Sequence, residues 1–252
     1  MNYFELIPSE LNEIIVSYLS SDELITLLKT FRLNNLRVPI LNWGTIHSYH
    51  FGFYKNISID EYLFRVEIEG LINKLNLNYT VDQLLDLHVL DLSSNQLVRV
   101  PPEIGNLTNL QVLDLSRNQL TQVPPEIGNL INLQRLHLHN NQLTQVPQEI
   151  GNLTNLHVLD LSRNQLERVP PEIGNLTNLH KLFLMNNQLT QVPPEIGKLA
   201  NLQTLTLGFN KLVQVPLEIS MLNNLKTLYL AGNQLIRVSE EIRRIPGIII
   251  FE

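Results

Sequence analysis

An asparagine returns every 23 residues through the second part of this chain, at Asn95, Asn118, Asn141, Asn164, Asn187, Asn210 and Asn233. A fixed period of that length means that each unit is one supersecondary element stacked on its neighbour, so the fold is a linear array. The unit reads L-x-x-L-x-L-x-x-N-x-L, as at Leu110, Leu113, Leu115, Asn118 and Leu120. Alternation of Leu113 and Leu115 predicts a short strand with its leucines turned inward and Val112, Asp114 and Ser116 turned out. Stacked units then give one parallel sheet on the concave side. The asparagines Asn95 to Asn233 are expected where the chain leaves that sheet, because an amide supplies both a donor and an acceptor to backbone groups that lose their ladder partners.

The second half of the unit, Val123-Pro124-Pro125-Glu126-Ile127-Gly128-Asn129-Leu130, predicts the opposite, convex side. Proline has no amide for a sheet and suits the start of a helical turn, and Gly128 suits its end. Glu103, Glu126, Glu149, Glu172, Glu195, Glu218 and Glu241 line up there and read as solvated glutamates near the positive end of each turn. The period begins before the first asparagine, since Val81, Leu84 and Leu87 stand 23 residues ahead of Ile104, Leu107 and Leu110. It drifts at the other end. Ser220 and Arg243 replace the glycine, Ser239 replaces the proline, and residues 248–251 start an eighth strand.

This pattern resembles the leucine-rich repeats of the Ras-group intracellular signalling scaffolds and of related bacterial and viral proteins. The resemblance implies an α/β solenoid, a horseshoe with a parallel concave sheet. The predicted organisation is a helical region over 1–43, a helical connector and cap over 44–80, and a solenoid over 81–252 with seven full repeats and a truncated last one. Because the half-repeat runs straight into the helical region without a loose linker, one continuous body is expected.

Composition removes several classes of function. The chain has no cysteine, which excludes disulfide frameworks, thiolate metal sites and cysteine nucleophiles. A formal charge of -6 leaves no electrostatic footprint for nucleic acid, and no basic run points to a membrane surface. Residues 1–19 carry Glu5, Glu10 and Glu13 before any basic residue, unlike a signal peptide. An intracellular, cytoplasmic protein without a cofactor or metal is expected.

Ahead of the repeats, Leu11, Ile14, Ile15, Tyr18 and Leu19 recur at helical spacing, and Ser20-x-x-Glu23 has the form of a capping box that opens a second helix. A second capping pattern, Ser58-x-x-Glu61, predicts a helix through Leu75 that Gly70 weakens. His47 and His50 read as polar members of an aromatic connector rather than metal ligands. The stretch Ile7-Pro8-Ser9-Glu10-Leu11, with Ile15, Leu19 and Leu24, resembles the start of an F-box. That resemblance implies docking on a Skp-type adaptor of a cullin-based ubiquitin ligase, with the repeats holding the protein to be modified. Ile7 stands where a leucine is usual, and Pro39 interrupts a third helical segment through Leu33, Leu36, Ile40 and Leu41. The alternative is that these helices only cap a signalling scaffold.

The partner is expected on the exposed strand positions, where the core does not dictate the residue. The central column runs Asp91, Asp114, His137, Asp160, Phe183, Thr206 and Tyr229, flanked by Arg117, His139, Arg163, Met185 and Phe209. His88, Arg135, His157, His180 and Lys181 border it, so five of the seven histidines fall on this face. Its first half is charged and its second half aromatic, and a protein partner anchored by Phe183, Met185, Phe209 and Tyr229 fits that division. Asp114, His137 and Asp160 fall on adjacent strands, but an open face supplies no pocket for catalysis.

Overall fold

The computed structural model describes residues 59–252. The F-box-like positions Ile7, Pro8, Leu11, Ile15, Leu19 and Leu24, the two helices expected with them, and His47 and His50 lie outside the described residues. The chain divides into two units, 1–77 and 78–252.

In the first unit the described element is helix α1, Ile59–Leu75. It runs through Gly70, buries Ile68 and Leu71, and ends where Asn76 takes the left-handed conformation at φ 50°. The Leu77 N–H then donates to the Ile72 carbonyl at 2.9 Å, closing the last turn. No described helix is long and apolar enough to cross a membrane.

The second unit opens with the half-repeat, built as a short helix, α2, Val81–Leu85. Thr80 caps it reciprocally with Gln83, and Val81 and Leu84 are buried. Eight strands follow: β1 Val89–Asp91, β2 Val112–Asp114, β3 Arg135–His137, β4 Val158–Asp160, β5 Lys181–Phe183, β6 Thr204–Thr206, β7 Thr227–Tyr229 and β8 Ile249–Phe251. They form one parallel sheet in sequence order. The middle leucine of each repeat strand points into the core, with Leu113, Leu136, Leu159, Leu182 and Leu205 at 0% exposure. The predicted α/β solenoid is therefore what the chain builds.

Strands are only three residues long because the chain turns away at once. Ser94, Arg117, Asn140, Arg163, Asn186 and Phe209 hold φ between 53° and 58° and Gly232 holds 74°, so one left-handed residue recurs just before each ladder asparagine. The turn corrects one expectation: Ser116 is buried at 3% rather than facing out. Its N–H donates to Asp114 Oδ1 at 2.8 Å and its carbonyl accepts from the Ser94 N–H at 3.0 Å, so both backbone groups serve the bend.

The ladder then does what an amide can do. Asn141 Oδ1 accepts from the Leu120 N–H at 3.0 Å, and its Nδ2 donates to the Leu115 carbonyl at 2.9 Å and the Leu138 carbonyl at 3.0 Å. Asn164, Asn187 and Asn210 repeat the scheme, each reaching back to the preceding coil. Asn95, in the first strand repeat, is exposed.

On the far side each repeat makes a short 3-10 helix, as at Pro102–Asn106, Pro125–Asn129 and Pro171–Asn175. Here the glycine has a different reason from the one expected. Gly128 does not adopt a left-handed backbone. A Cβ at Gly105, Gly128, Gly151, Gly174 or Gly197 would lie 2.8 Å from the Cβ of the glutamate in the next coil, so glycine is needed for close stacking. The glutamates are correspondingly half-buried from Glu103 to Glu218 rather than freely solvated. Ser220 ends the glycine column, and the coil stacked after it forms a four-residue α-helix instead, α3, Glu240–Arg243, capped by the Ser239 hydroxyl.

Candidate functional site

Register places one residue of each strand in a single line across the exposed face of the sheet. The pairs Asp91 with Asp114, Asp114 with His137, His137 with Asp160, and Asp160 with Phe183 are direct, and Phe183, Thr206 and Tyr229 continue the line. The line ends on Phe251, which pairs with Tyr229 at a spacing of 22 rather than 23 residues. Counting by the period lands on Glu252 and misses it. Glu252 instead meets the Arg243 guanidinium at 2.5 Å.

The aspartates of the line are partly spent on the turn. Asp91, Asp114 and Asp160 each accept, through Oδ1, the N–H of the serine two residues on, at 2.8, 2.8 and 3.0 Å. The Ser93 N–H, and then its hydroxyl, hold the Asp91 carboxyl below its usual range. At Asp160 the second oxygen, Oδ2, is left to face a neighbouring strand.

His137 interrupts this series and does not stand alone. His139, two residues on, meets it edge to face with ring centroids 6.3 Å apart, and His139 Nδ1 lies 3.3 Å from Asp160 Oδ2. Asp114, which the register also sets beside His137, is not part of this group; His139 is. His157 and His180, on the flank, stack at 5.2 Å with their planes 16° apart.

The far half of the face is aromatic, as expected. Phe209 is 51% exposed and Phe251 47% exposed, with Tyr229 between them at ring distances of 6.5 and 5.5 Å. Two glycines make room for these rings: a Cβ at Gly208 would strike the Tyr229 ring, and one at Gly232 would lie 2.6 Å from the Phe209 ring. Phe183 and Met185, at and just beyond the end of β5, are half-buried. Arg117 and Arg163 are exposed, and like Phe209 they occupy the left-handed position, which favours glycine or asparagine over bulky side chains.

A further polar column went unread in the sequence. Asn109, Asn132, Asn155, Asn178, Asn201 and Asn224 donate Nδ2 to a carbonyl 24 residues earlier, at 2.8 to 3.0 Å. It shares the 23-residue period of the buried ladder, and that period was the signal available for it.

Comparison with known proteins agrees with the geometry. Three family models match: Leucine Rich repeats (2 copies) over 86–130, Leucine-rich repeat region over 125–189, and Leucine rich repeat over 177–235. A solved leucine-rich repeat protein of Leptospira interrogans is 45% identical, with a TM-score of 0.65, over 68% of this chain and 43% of that one. The chain thus spans less than half the length of that relative. The comparison with curated proteins returns no match. The period, the parallel sheet and these matches agree that residues 86–235 are built of leucine-rich repeats.

Proposed function

We infer that the chain is a non-catalytic recognition protein that binds a protein partner across the exposed face of its sheet. The observation that carries this is the aromatic run on the sheet face, with Phe209 and Phe251 exposed, Tyr229 half-buried between them, and Gly208 and Gly232 making room for the rings. The solenoid core does not need these rings, and exposed aromatic groups on a fixed frame are the usual anchors of protein interfaces. Eight strands at about 4.8 Å spacing give a face roughly 34 Å across. That width accommodates a standard interface of roughly 1,200–2,000 Å². The aspartates, arginines and histidines of the first half supply the polar and charged side of the contact, including Asp114, Arg117 and Arg163.

The finer reading rests on the resemblance of residues 7–24 to an F-box. In it, Ile7, Pro8, Leu11, Ile15, Leu19 and Leu24 dock on a Skp-type adaptor, and the sheet presents a captured protein to an intracellular ubiquitin ligase. Having no cysteine, the chain carries no ubiquitin thioester, and an adaptor role fits that composition.

The two levels are tested separately. Co-purification of the full chain with a Skp-type adaptor and a cullin, compared with Leu11→Asp/Ile15→Asp, addresses the finer one. Loss of a wild-type association with the repeats still folded supports it, and no association of the wild type overturns it. Proteins retained by the wild type but lost by Phe209→Ser/Tyr229→Ser, at unchanged thermal stability, support the sheet face as the binding surface. Identical retention by both forms counts against it.

A further inference from the structure

The charged half of the sheet face holds a group of side chains whose approach to one another a protein contact alone does not require. His137 ends β3 and His139 follows two residues later, while Asp160 ends the neighbouring β4 in register with His137. One donor atom from each of His137, His139 and Asp160 lies within 4.8 Å of the other two. Among the described residues, no other trio of histidines and carboxylates converges in this way.

We propose that His137, His139 and Asp160 bind one divalent transition-metal ion, with Zn²⁺ the best match. Three features favour an ion over a simple histidine–aspartate pair. His139 Nδ1 and Asp160 Oδ2 are 3.3 Å apart, yet His139 Nδ1 is buried and makes no hydrogen bond, so the two atoms are close without being aligned for one. Two donors on a tetrahedral zinc with bonds of about 2.0–2.1 Å stand roughly 3.4 Å apart, close to the 3.3 Å between His139 Nδ1 and Asp160 Oδ2, while the His137 donor lies within 4.8 Å of both. Asp160 is also held in place, because Oδ1 accepts the Ser162 N–H at 3.0 Å and the remaining oxygen is the one turned to His139. A carboxylate fixed by a backbone hydrogen bond is the kind of support that orients metal ligands.

The donor set narrows the ion. Two imidazoles and one carboxylate suit Zn²⁺, with Ni²⁺ and Cu²⁺ as competitors, and do not suit Mg²⁺ or Ca²⁺, which call for oxygen ligands. Three protein ligands leave a coordination position open, and the site lies on the face assigned above to a partner. Water fills that position in the free protein, and a partner's side chain is able to replace it. The ion site itself does not depend on the protein-binding reading and is tested without a partner.

The test is calorimetric titration of Zn²⁺ into the full chain, with visible absorption of the Co²⁺ form as a second readout. The expected result is one ion per chain and a Co²⁺ spectrum with nitrogen and oxygen donors. Affinity is expected to fall in H137Q, in H139Q and in D160N by at least the roughly tenfold seen when only a supporting partner of a ligand is removed. D160N keeps the oxygen that accepts the Ser162 N–H, so it removes the charge without removing the turn. The double variant H157Q/H180Q, which disrupts the stacked pair on the flank, is expected to bind as the wild type does. No binding by the wild type, an affinity unmoved by D160N, or an equal loss in H157Q/H180Q overturns the site.

Discussion

Where the chain leaves the sheet, Asn164 is 8% exposed, takes the Leu143 N–H on its oxygen and gives its amide protons to the Leu138 and Leu161 carbonyls. Where the chain comes back toward the sheet, Asn155 is exposed and makes one side-chain bond, to the Ile131 carbonyl. Residue type and period are the same at both corners, and the surroundings differ. At the first corner water is excluded, so the Leu143 N–H has no other acceptor to turn to. At the second, water stands ready to take the place of the amide. Periodicity therefore identifies a structural residue, and burial decides what it is worth.

The contrast has a largest consequence at Asn164. Asn164→Leu leaves the buried Leu143 N–H without a partner and removes one of the two amide donors from each of the Leu138 and Leu161 carbonyls, which Asn141 and Asn187 still serve, so a loss of about 3 kcal/mol is expected. Urea unfolding measures it, and a loss as small as that at Asn155 would erase the distinction. Second comes Gly128→Ala, where the new Cβ meets the backbone and Cβ of Glu149. Overpacking of that kind costs about 1–3 kcal/mol, and a stabilising result would show that the coils are not in close contact on the far side. Third, Asn155→Ala removes a single exposed bond and is expected to cost about 0.5–1 kcal/mol.

Phe209→Asn sharpens the first corner in another way. Its left-handed backbone suits asparagine, so stability is expected to hold or to rise by about 1 kcal/mol while partner retention falls. Smallest is the effect at Asp91, whose carboxyl is held low by Ser93. A depressed folded-state pKa gives stability present above the unfolded value of about 3.9 and lost as pH falls through the lower folded value. D91N is expected to melt slightly below the wild type at neutral pH and to converge with it in acid; parallel curves across that range would remove Asp91 from the corner's stabilising groups.

Much of the fold was legible because repetition multiplies a weak signal. One L-x-L is ambiguous, but the same pair at Leu113 and Leu115, Leu136 and Leu138, and Leu159 and Leu161 specifies a stacked strand. The misreadings share a cause: they depend on what the neighbouring coil puts opposite a residue. Ser116 looked outward on strand alternation, yet the left-handed Arg117 had already bent the chain. Gly128 looked like a helix terminator, and the reason for it is Glu149 in the next coil. At the candidate site the central line followed from the period until the last repeat shortened by one residue and substituted Phe251 for Glu252. His139 was read as a flanking residue, because alternation along a three-residue strand does not say where the side chain beyond its end will turn.

The backward reach of the buried asparagines also gives the solenoid a direction in time. Asn141 closes groups that belong to the coil before it, at Leu115 and Leu120, and Asn164 does the same for Leu138 and Leu143. A coil emerging from the ribosome is therefore incomplete until the next asparagine arrives about one repeat later. Synthesis runs from the N-terminus, the same direction in which each coil waits for its successor. Growth by addition at one end, with every new turn sealing the last, is the assembly order to which this hydrogen-bond pattern is suited.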